Sequence, residues 1–166
     1  MHAYKAPSHP RCRPTLLRFF LLALFLTVGG VGHAEEERRN YFDDPFLQVT
    51  NGLPGCPSQK GPLITLAEKQ AAAHYRAERG TSCYQSGRCR LPNAYLYDKE
   101  IIPRVHKALL ADGGFADTSI WVEGQRRWVW VKGCVRTAEQ STRIEQVVRA
   151  IDDVEMVINE LVVVGH

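Results

Sequence analysis

The sequence predicts an α+β fold, because strand patterns and a helix pattern follow one another in its C-terminal part. The runs Ile120–Val122 and Trp128–Val135 are rich in β-branched and aromatic residues, and the second alternates with the period of a half-buried strand. A helix pattern comes next, and the chain closes with a third strand-like run, Met156–Val164. This order indicates a sheet with helices on one side, and we expect the last run to lie at the sheet centre.

The first two strands are predicted to form a hairpin. A short polar segment, Glu123–Arg126, joins them and suits a turn. The alternation assigns the residues of the hairpin to two faces. Val129, Val131 and Val135 share the face that is expected to meet the helices, together with Ile120 and Val122. Trp128, Trp130, Lys132 and Cys134 share the other face with Trp121.

The helix that follows the hairpin has a clear start and one apolar side. Thr137 and Gln140 stand in the spacing of a capping box, in which each satisfies a free backbone N–H group at the helix start. Apolar residues then recur at the spacing of one helix face. They are Ile144, Val147, Val148 and Ile151.

Two further helices are predicted upstream. Thr65 and Glu68 form a capping pair that opens a helix over about residues 65–79, and Gly80 is suited to end it. Asp98 is expected to cap the second helix, which ends at Asp112-Gly113-Gly114. Pro103 leaves two alternatives: the regular helix starts near Ile102 with Pro103 in its first turn, or the helix bends there.

The C-terminal pattern resembles the BON domain, a small bacterial periplasmic module. The resemblance covers about Tyr97–Val164 and rests on Val129-x-Val131-x-Gly133-x-Val135, the helix, and Val154-x-x-Val157-x-Asn159-x-Leu161-x-Val163. It implies an α-β-β-α-β sandwich with helices on one face of a three-stranded sheet. It also implies binding to phospholipid or a membrane surface, without catalysis. Asp153 stands where the family has Gly, and Asp tolerates the left-handed conformation better than most residues.

The chain is predicted to have three parts: 1–34, 35–95 and 96–166. The first has a basic start, an apolar stretch over Leu16–Val28 and small residues up to Ala34, which is the layout of a secretory signal peptide cleaved after that residue. The alternative is a membrane anchor, but the uninterrupted apolar core is shorter than the roughly 20 residues that a span needs. We therefore expect a periplasmic protein with a cysteine-containing extension before the BON-like domain, irregular over residues 35–62 and helical at about 65–79.

The charge balance argues against nucleic acid as a partner. The full chain has 21 basic and 18 acidic residues, a net charge of +3. The predicted signal peptide contributes four basic residues and no acidic one, so the remainder has 17 basic and 18 acidic residues and a net charge of −1. Binding to nucleic acid normally requires a basic domain. The same balance makes general attraction to anionic lipid weak.

The cysteines predict two disulfides. Once Cys12 is removed with the signal peptide, four remain, and an even number in an oxidising compartment favours disulfides over metal ligands. They are Cys56, Cys83, Cys89 and Cys134, which allow three connectivities. No C-x-x-C pair occurs, so neither a zinc site nor a redox centre is indicated.

Three tryptophans on one sheet face raise the question of what covers them. Together they amount to roughly 450–750 Å² of largely apolar surface, which matches or exceeds the largest patch of a typical monomer, roughly 300–600 Å². In the first interpretation the extension and its helix at 66–79 fold over this face. The pairing then favoured is Cys56 with Cys134, which leaves Cys83 with Cys89.

In the second interpretation part of the tryptophan face stays open and binds a lipid surface or another envelope component. The candidate binding residues are then Trp121, Arg126, Arg127, Trp128, Trp130 and Lys132. The runner-up function is a protein–protein adaptor or accessory subunit of an envelope assembly. No catalytic motif, cofactor fingerprint or metal-ligand spacing stands out, and Asp43 with Asp44 is interpreted as part of a loop rather than an acid–base pair.

Overall fold

The computed structural model describes residues 36–165, so the predicted signal peptide lies outside the described residues. Within this range, the fold consists of four strands and three α-helices. In chain order they are β1 (Phe46–Asn51), α1 (Leu66–Gln85), α2 (Asp98–Asp112), β2 (Ser119–Gln125), β3 (Trp128–Val135), α3 (Ala138–Arg149) and β4 (Met156–Val163). A short 3₁₀ turn, Ala94–Tyr97, leads directly into α2.

The strands form one sheet in the order β1-β2-β3-β4. The pairs β1–β2 and β2–β3 are antiparallel, whereas β4 returns through α3 to run parallel to β3. Helices α2 and α3 pack on one side of this sheet, where the apolar residues of both layers interlock. The core residues include Ile101, Ile102, Val105 and Leu109 of α2, Ile144 and Val148 of α3, and Ile120, Val122, Val129 and Val131 of the sheet. The predicted α+β class is confirmed.

The number and order of the strands differ from the prediction. Residues 46–51, expected to be irregular, form β1 and add a fourth strand beside β2. This strand has no strong sequence pattern, because only Val49 of its six residues is buried and the pairing is interrupted after Gln48. The prediction that the last strand lies at the centre is also wrong. Since α3 returns the chain to the outer side of β3, β4 becomes an edge strand with several exposed apolar residues.

Helix α1 continues past its predicted end. Gly80 was expected to end the helix near residue 79, but it lies inside α1, which extends to Gln85. The reason for glycine is a close approach: a Cβ atom at position 80 would lie 2.5 Å from the Asn93 side-chain oxygen. The helix therefore carries its last turns alongside the segment that precedes α2.

Helix α2 begins at Asp98, and Pro103 lies inside it rather than in its first turn. The side chain of Asn93 caps the preceding 3₁₀ turn by accepting a hydrogen bond from the N–H of Tyr95 at 3.0 Å. The predicted end is confirmed, since Gly113 follows α2 with a φ of 75°. Asp153 adopts the expected left-handed conformation, with a φ of 72°.

One disulfide, Cys56–Cys134, joins the extension to the domain, and a second disulfide and a buried ion pair stabilise the extension itself. Cys56 bonds to Cys134 and Cys83 to Cys89, the pairing that the sequence favoured. Arg76 of α1 lies between the rings of Phe42 and Tyr95, at 4.0 and 3.8 Å from their centroids. Its guanidinium group makes two hydrogen bonds to the carboxylate of Asp44, which is only 6% exposed. Asp44 lies in the loop before β1, where its carboxylate anchors Arg76.

Candidate binding site at the hairpin tip

The sheet has an outer face, defined as the side directed away from α2 and α3. By strand register it comprises Phe46 and Gln48 of β1, Ser119, Trp121, Glu123 and Gln125 of β2, Trp128, Trp130, Lys132 and Cys134 of β3, and Met156, Ile158, Glu160 and Val162 of β4. The alternation in the sequence predicted Trp121 of β2 and the β3 residues of this set, whereas Glu123 was expected in the turn and lies in β2 instead. The structure adds the β4 residues, because parallel pairing places them beside those of β3.

The β1–β2 half of the outer face is covered. The Cys56–Cys134 disulfide ties the segment that follows β1 to this face, and further along Gly61 approaches the Phe46 ring, which a Cβ atom there would meet at 3.2 Å. In the register of β2, Trp121 lies between the position opposite Cys134 and the position opposite Phe46, and it is only 5% exposed. We infer that this segment of the extension covers Trp121, which makes it a core residue.

The expectation that α1 also lies over the tryptophans is wrong. Helix α1 packs instead against the 3₁₀ turn before α2, beside the tip of the β2–β3 hairpin. The physical reason is the anchoring of Arg76 between Phe42 and Tyr95, which holds the helix at the end of the sheet and away from its face.

The β3–β4 half of the outer face remains open. Trp128 and Trp130 are half-buried, with ring centroids 6.1 Å apart and a tilt of 41° between the rings. Met156 and Val162 continue this surface on β4 and are 43% and 60% exposed. We call the set Trp128, Trp130, Met156, Ile158 and Val162 the open strip. Within residues 36–165, the indole N–H of Trp128 is the buried side-chain donor that lacks a hydrogen-bond partner.

A two-residue turn at the end of the hairpin lies next to the open strip. Arg126 and Arg127 have φ values of 58° and 67°, and the type I′ turn requires positive φ at both central residues. Arginine has a Cβ atom, so each position carries a steric cost of roughly 1–2 kcal/mol. Something in the fold must therefore hold this turn.

The carboxylate of Asp98 holds the turn. Its two oxygens accept hydrogen bonds from the backbone N–H groups of Arg126 and Arg127, at 2.6 and 2.7 Å. The residue is 1% exposed, and burial raises the pKa of Asp98 to about 7, although the two N–H donors act in the opposite direction. Asp98 was predicted as a helix cap. Instead it is the first residue of α2, and its partners lie 28 and 29 residues away in sequence, beyond the reach of any local pattern.

The side chains of the two turn arginines have different surroundings. Arg126 lies over the ring of Trp128, 4.6 Å from its centroid, and so links the turn to the open strip. Arg127 donates hydrogen bonds to the backbone oxygen of Asp153 at 2.8 Å and to the sulfur of Cys89 at 3.2 Å. Arg126 is therefore the more accessible cation for a ligand on the strip.

The candidate residues from the sequence thus separate into two groups. Arg126, Trp128 and Trp130 come together at the tip, with Arg127 beside them. Trp121 is covered, and Lys132 is paired with Glu123 at 2.7 Å, so neither belongs to an open binding surface. The members that the sequence missed are Met156, Ile158 and Val162 of β4. The run Met156–Val163 has apolar residues on both faces, so its pattern did not assign them, and their place follows from the pairing with β3.

Within residues 36–165, no three His, Cys, Asp or Glu side chains cluster in a way that would hold a metal ion. Among the helices of this same range, none has both the length and the apolar character that a membrane span needs. The arrangement at the tip, with cations beside aromatic and aliphatic side chains, is suited to binding rather than to acid–base or nucleophilic chemistry.

Comparison with known families assigns the C-terminal part of the chain. Residues 97–165 match the model of the BON domain. The chain contains a BON domain. No curated protein and no solved structure matches the sequence significantly. The BON match includes Asp98, the hairpin tip and the open strip, whereas β1, α1 and three of the four disulfide cysteines precede it.

Proposed function

We propose that this protein is a non-catalytic periplasmic module that binds phospholipid membrane surfaces through its open strip and hairpin tip. BON domains form a family of binding domains associated with phospholipids and membrane surfaces, which supports this class of function. The periplasmic location rests on the predicted signal peptide at residues 1–34. Recovery of a periplasmic form that begins at Glu35 would support it, whereas a membrane-bound form that retains residues 1–34 would contradict it.

The observation that carries the proposal is the pairing of Arg126 with Trp128 at the edge of an exposed apolar strip. Tryptophan favours the membrane interface because it combines an apolar ring with a polar N–H group. The guanidinium of Arg126 lies over the Trp128 ring, so a phosphate headgroup and an acyl chain could be bound next to each other there. Met156 and Val162 extend the apolar contact along β4. A local site of this kind does not require an overall basic protein.

The test is co-sedimentation with vesicles. The full chain is expressed in bacteria, purified in its oxidised form and mixed with vesicles of phosphatidylcholine and of phosphatidylglycerol. We expect binding with a blue shift of tryptophan emission, and weaker binding of Trp128→Ala. Leu110→Ala is the matched control, because Leu110 is an exposed apolar residue on α2, away from the outer face. Equal vesicle binding by both variants and the unmodified chain would exclude the open strip as the membrane contact.

A second candidate function is that of a protein–protein adaptor, and the edge strand β4 favours it. Within the described residues, β4 pairs on one side only, with β3. Such an edge offers backbone hydrogen-bonding groups to a strand from a partner. Val162→Lys tests this candidate. It should abolish co-isolation of an envelope partner by the adaptor account, whereas the membrane account predicts reduced vesicle binding instead.

A further inference from the structure

The arginines among residues 36–165 fall into two groups, those that form an ion pair with a carboxylate and those that do not. Among residues 36–165, four arginines have no carboxylate in ion-pair contact: Arg79, Arg88, Arg126 and Arg127. Every other arginine in that range forms an ion pair with an Asp or Glu. The four without a partner come from three separate segments, yet all of them line a single pocket.

The pocket lies where the extension meets the BON domain and has a volume of about 250 Å³. The hydroxyl-bearing Ser82 also lines it. This volume is below the roughly 300–1,000 Å³ of sites for drug-sized ligands. The pocket therefore suits a small anionic group rather than a whole lipid or a large organic molecule.

Each wall of the pocket is held by a different structural element. Arg79 and Ser82 belong to the last turns of α1 and lie on either side of Gly80 in sequence. Arg88 lies in the short loop closed by the Cys83–Cys89 disulfide, and its Nε atom donates to the Ser86 hydroxyl at 3.0 Å. The remaining wall is the hairpin turn.

The turn arginines are the most firmly placed part of the site. Asp98 fixes the backbone of both residues through their N–H groups. Arg127 is held further by Asp153 and by the ring of Tyr97, which lies 5.1 Å below its guanidinium carbon. Guanidinium groups that are positioned before a ligand arrives lose less conformational entropy on binding.

We propose that this arginine pocket binds a phosphate group that carries two negative charges. Arginine presents a planar fork of N–H donors that matches the oxygens of phosphate, and hydrogen bonds between charged groups are stronger than neutral ones. Four unpaired guanidinium groups around a small pocket give the charge density that a phosphate monoester requires. The phosphate group belongs either to a lipid headgroup or to a free phosphate ester. The lipid case rests on the proposed membrane function, whereas the site itself does not.

One acidic residue, Glu155, also lines the pocket. Its backbone N–H donates to the carbonyl oxygen of Arg127 at 2.8 Å, so its position is tied to the turn. A carboxylate here opposes the binding of an anion and reduces the net charge of the lining residues from +4 to +3. Glu155→Gln removes this repulsion and is expected to tighten phosphate binding.

The experiment compares two double variants of the full chain. Arg79→Gln with Arg88→Gln alters the pocket and leaves the hairpin turn intact. Arg143→Gln with Arg149→Gln removes the same charge from exposed, ion-paired positions on α3 and serves as the matched control. Binding of inorganic phosphate and of glycerol 3-phosphate is followed by the NMR shifts of the arginine Nε–H groups.

We expect the unmodified chain and the α3 variant to bind both probes, and the pocket variant to bind them at least about tenfold more weakly. Equal binding by the pocket variant and the control would overturn the proposal. Failure of the unmodified chain to bind either probe would also overturn it. The affinity should fall as the salt concentration rises, because exposed charges are screened.

Vesicles then distinguish the two sources of the phosphate. Phosphatidic acid carries a phosphate monoester, whereas phosphatidylglycerol carries a diester. Preference for phosphatidic acid over phosphatidylglycerol, lost in the pocket variant, assigns the lipid source. Binding of the free probes without vesicle binding assigns a soluble phosphate ester and removes only the membrane function. Vesicle binding that is unchanged in the pocket variant, without any binding of the free probes, overturns the pocket and leaves the membrane function standing.

Discussion

The two halves of the outer sheet face carry the same type of side chain in different surroundings. On the β1–β2 half, Trp121 lies in the register of β2 between the position opposite Cys134 and the position opposite Phe46, and it is nearly inaccessible. On the β3–β4 half, Trp128 and Trp130 continue into exposed residues of β4. The extension completes one half of the face as core and leaves the other half as surface. A tryptophan on a sheet face therefore indicates a binding site only when the neighbouring chain segments leave it open.

The difference between the two halves should have its largest effect on the free energy of unfolding. Trp121→Ala should lower the free energy of unfolding by about 3–5 kcal/mol, as is usual for removal of a large buried aromatic side chain. Trp130→Ala should cost about 1–2 kcal/mol, because much less apolar surface is withdrawn from water there. Urea unfolding of the oxidised proteins measures both values. Similar losses for the two variants would mean that the halves are not covered differently.

The two disulfides should contribute unequally to the free energy of unfolding. Cys56–Cys134 closes a loop with a sequence separation of 78, and Cys83–Cys89 one of 6. On the chain-entropy account, replacement of the first pair by Ser should cost about 4 kcal/mol and of the second about 2 kcal/mol. The first replacement should also release the segment over Trp121 and shift the emission of Trp121 to the red. Unchanged emission after loss of Cys56–Cys134 would show that other contacts cover this half.

The smallest effect on stability is expected from Asp98, which holds the hairpin tip beside the open half of the outer face. The pKa of Asp98 is raised from 3.8 to about 7 by burial. Between these values the folded state binds a proton that the unfolded state does not. The contribution of Asp98 to the stability of the fold is therefore fully present below about pH 4 and is lost as the pH rises through about 7.

Asp98→Asn should remove this dependence. Denaturant unfolding at several pH values between 4 and 8 measures this effect. From the lowest to the highest pH, the free energy of unfolding should fall by about 1–3 kcal/mol more for the unmodified chain than for the variant. An unmodified chain that loses stability on acidification relative to Asp98→Asn would mean that the pKa of this carboxyl is lowered instead.

The sequence predicted the elements whose signal is local. The alternation of β3 and the helical spacing of α3 identify both elements and their buried faces without knowledge of the rest of the chain. The strand β1 escaped prediction because its partner is β2, far away in sequence, and because Val49 is its one well-buried residue.

Less of the candidate site than of the fold could be predicted from the sequence. The tryptophans and the turn arginines were identified from the hairpin pattern alone. Their division into open and covered residues depends on where the extension runs, which only the folded chain shows. The support of the turn by Asp98 and the convergence of arginines from α1, the disulfide loop and the hairpin arise from three-dimensional packing, so no spacing in the sequence indicates them.

Fluorescence quenching by brominated phospholipids tests the central claim most directly, because the chain contains three tryptophans in all. One variant keeps Trp121 alone, with Trp128→Phe and Trp130→Phe, and the other keeps Trp128 alone, with Trp121→Phe and Trp130→Phe. On vesicles that contain the brominated lipid, the emission of Trp128 should be quenched and that of Trp121 should not. Quenching of Trp121, or no quenching of Trp128 in a chain that is bound to the vesicles, would contradict the account.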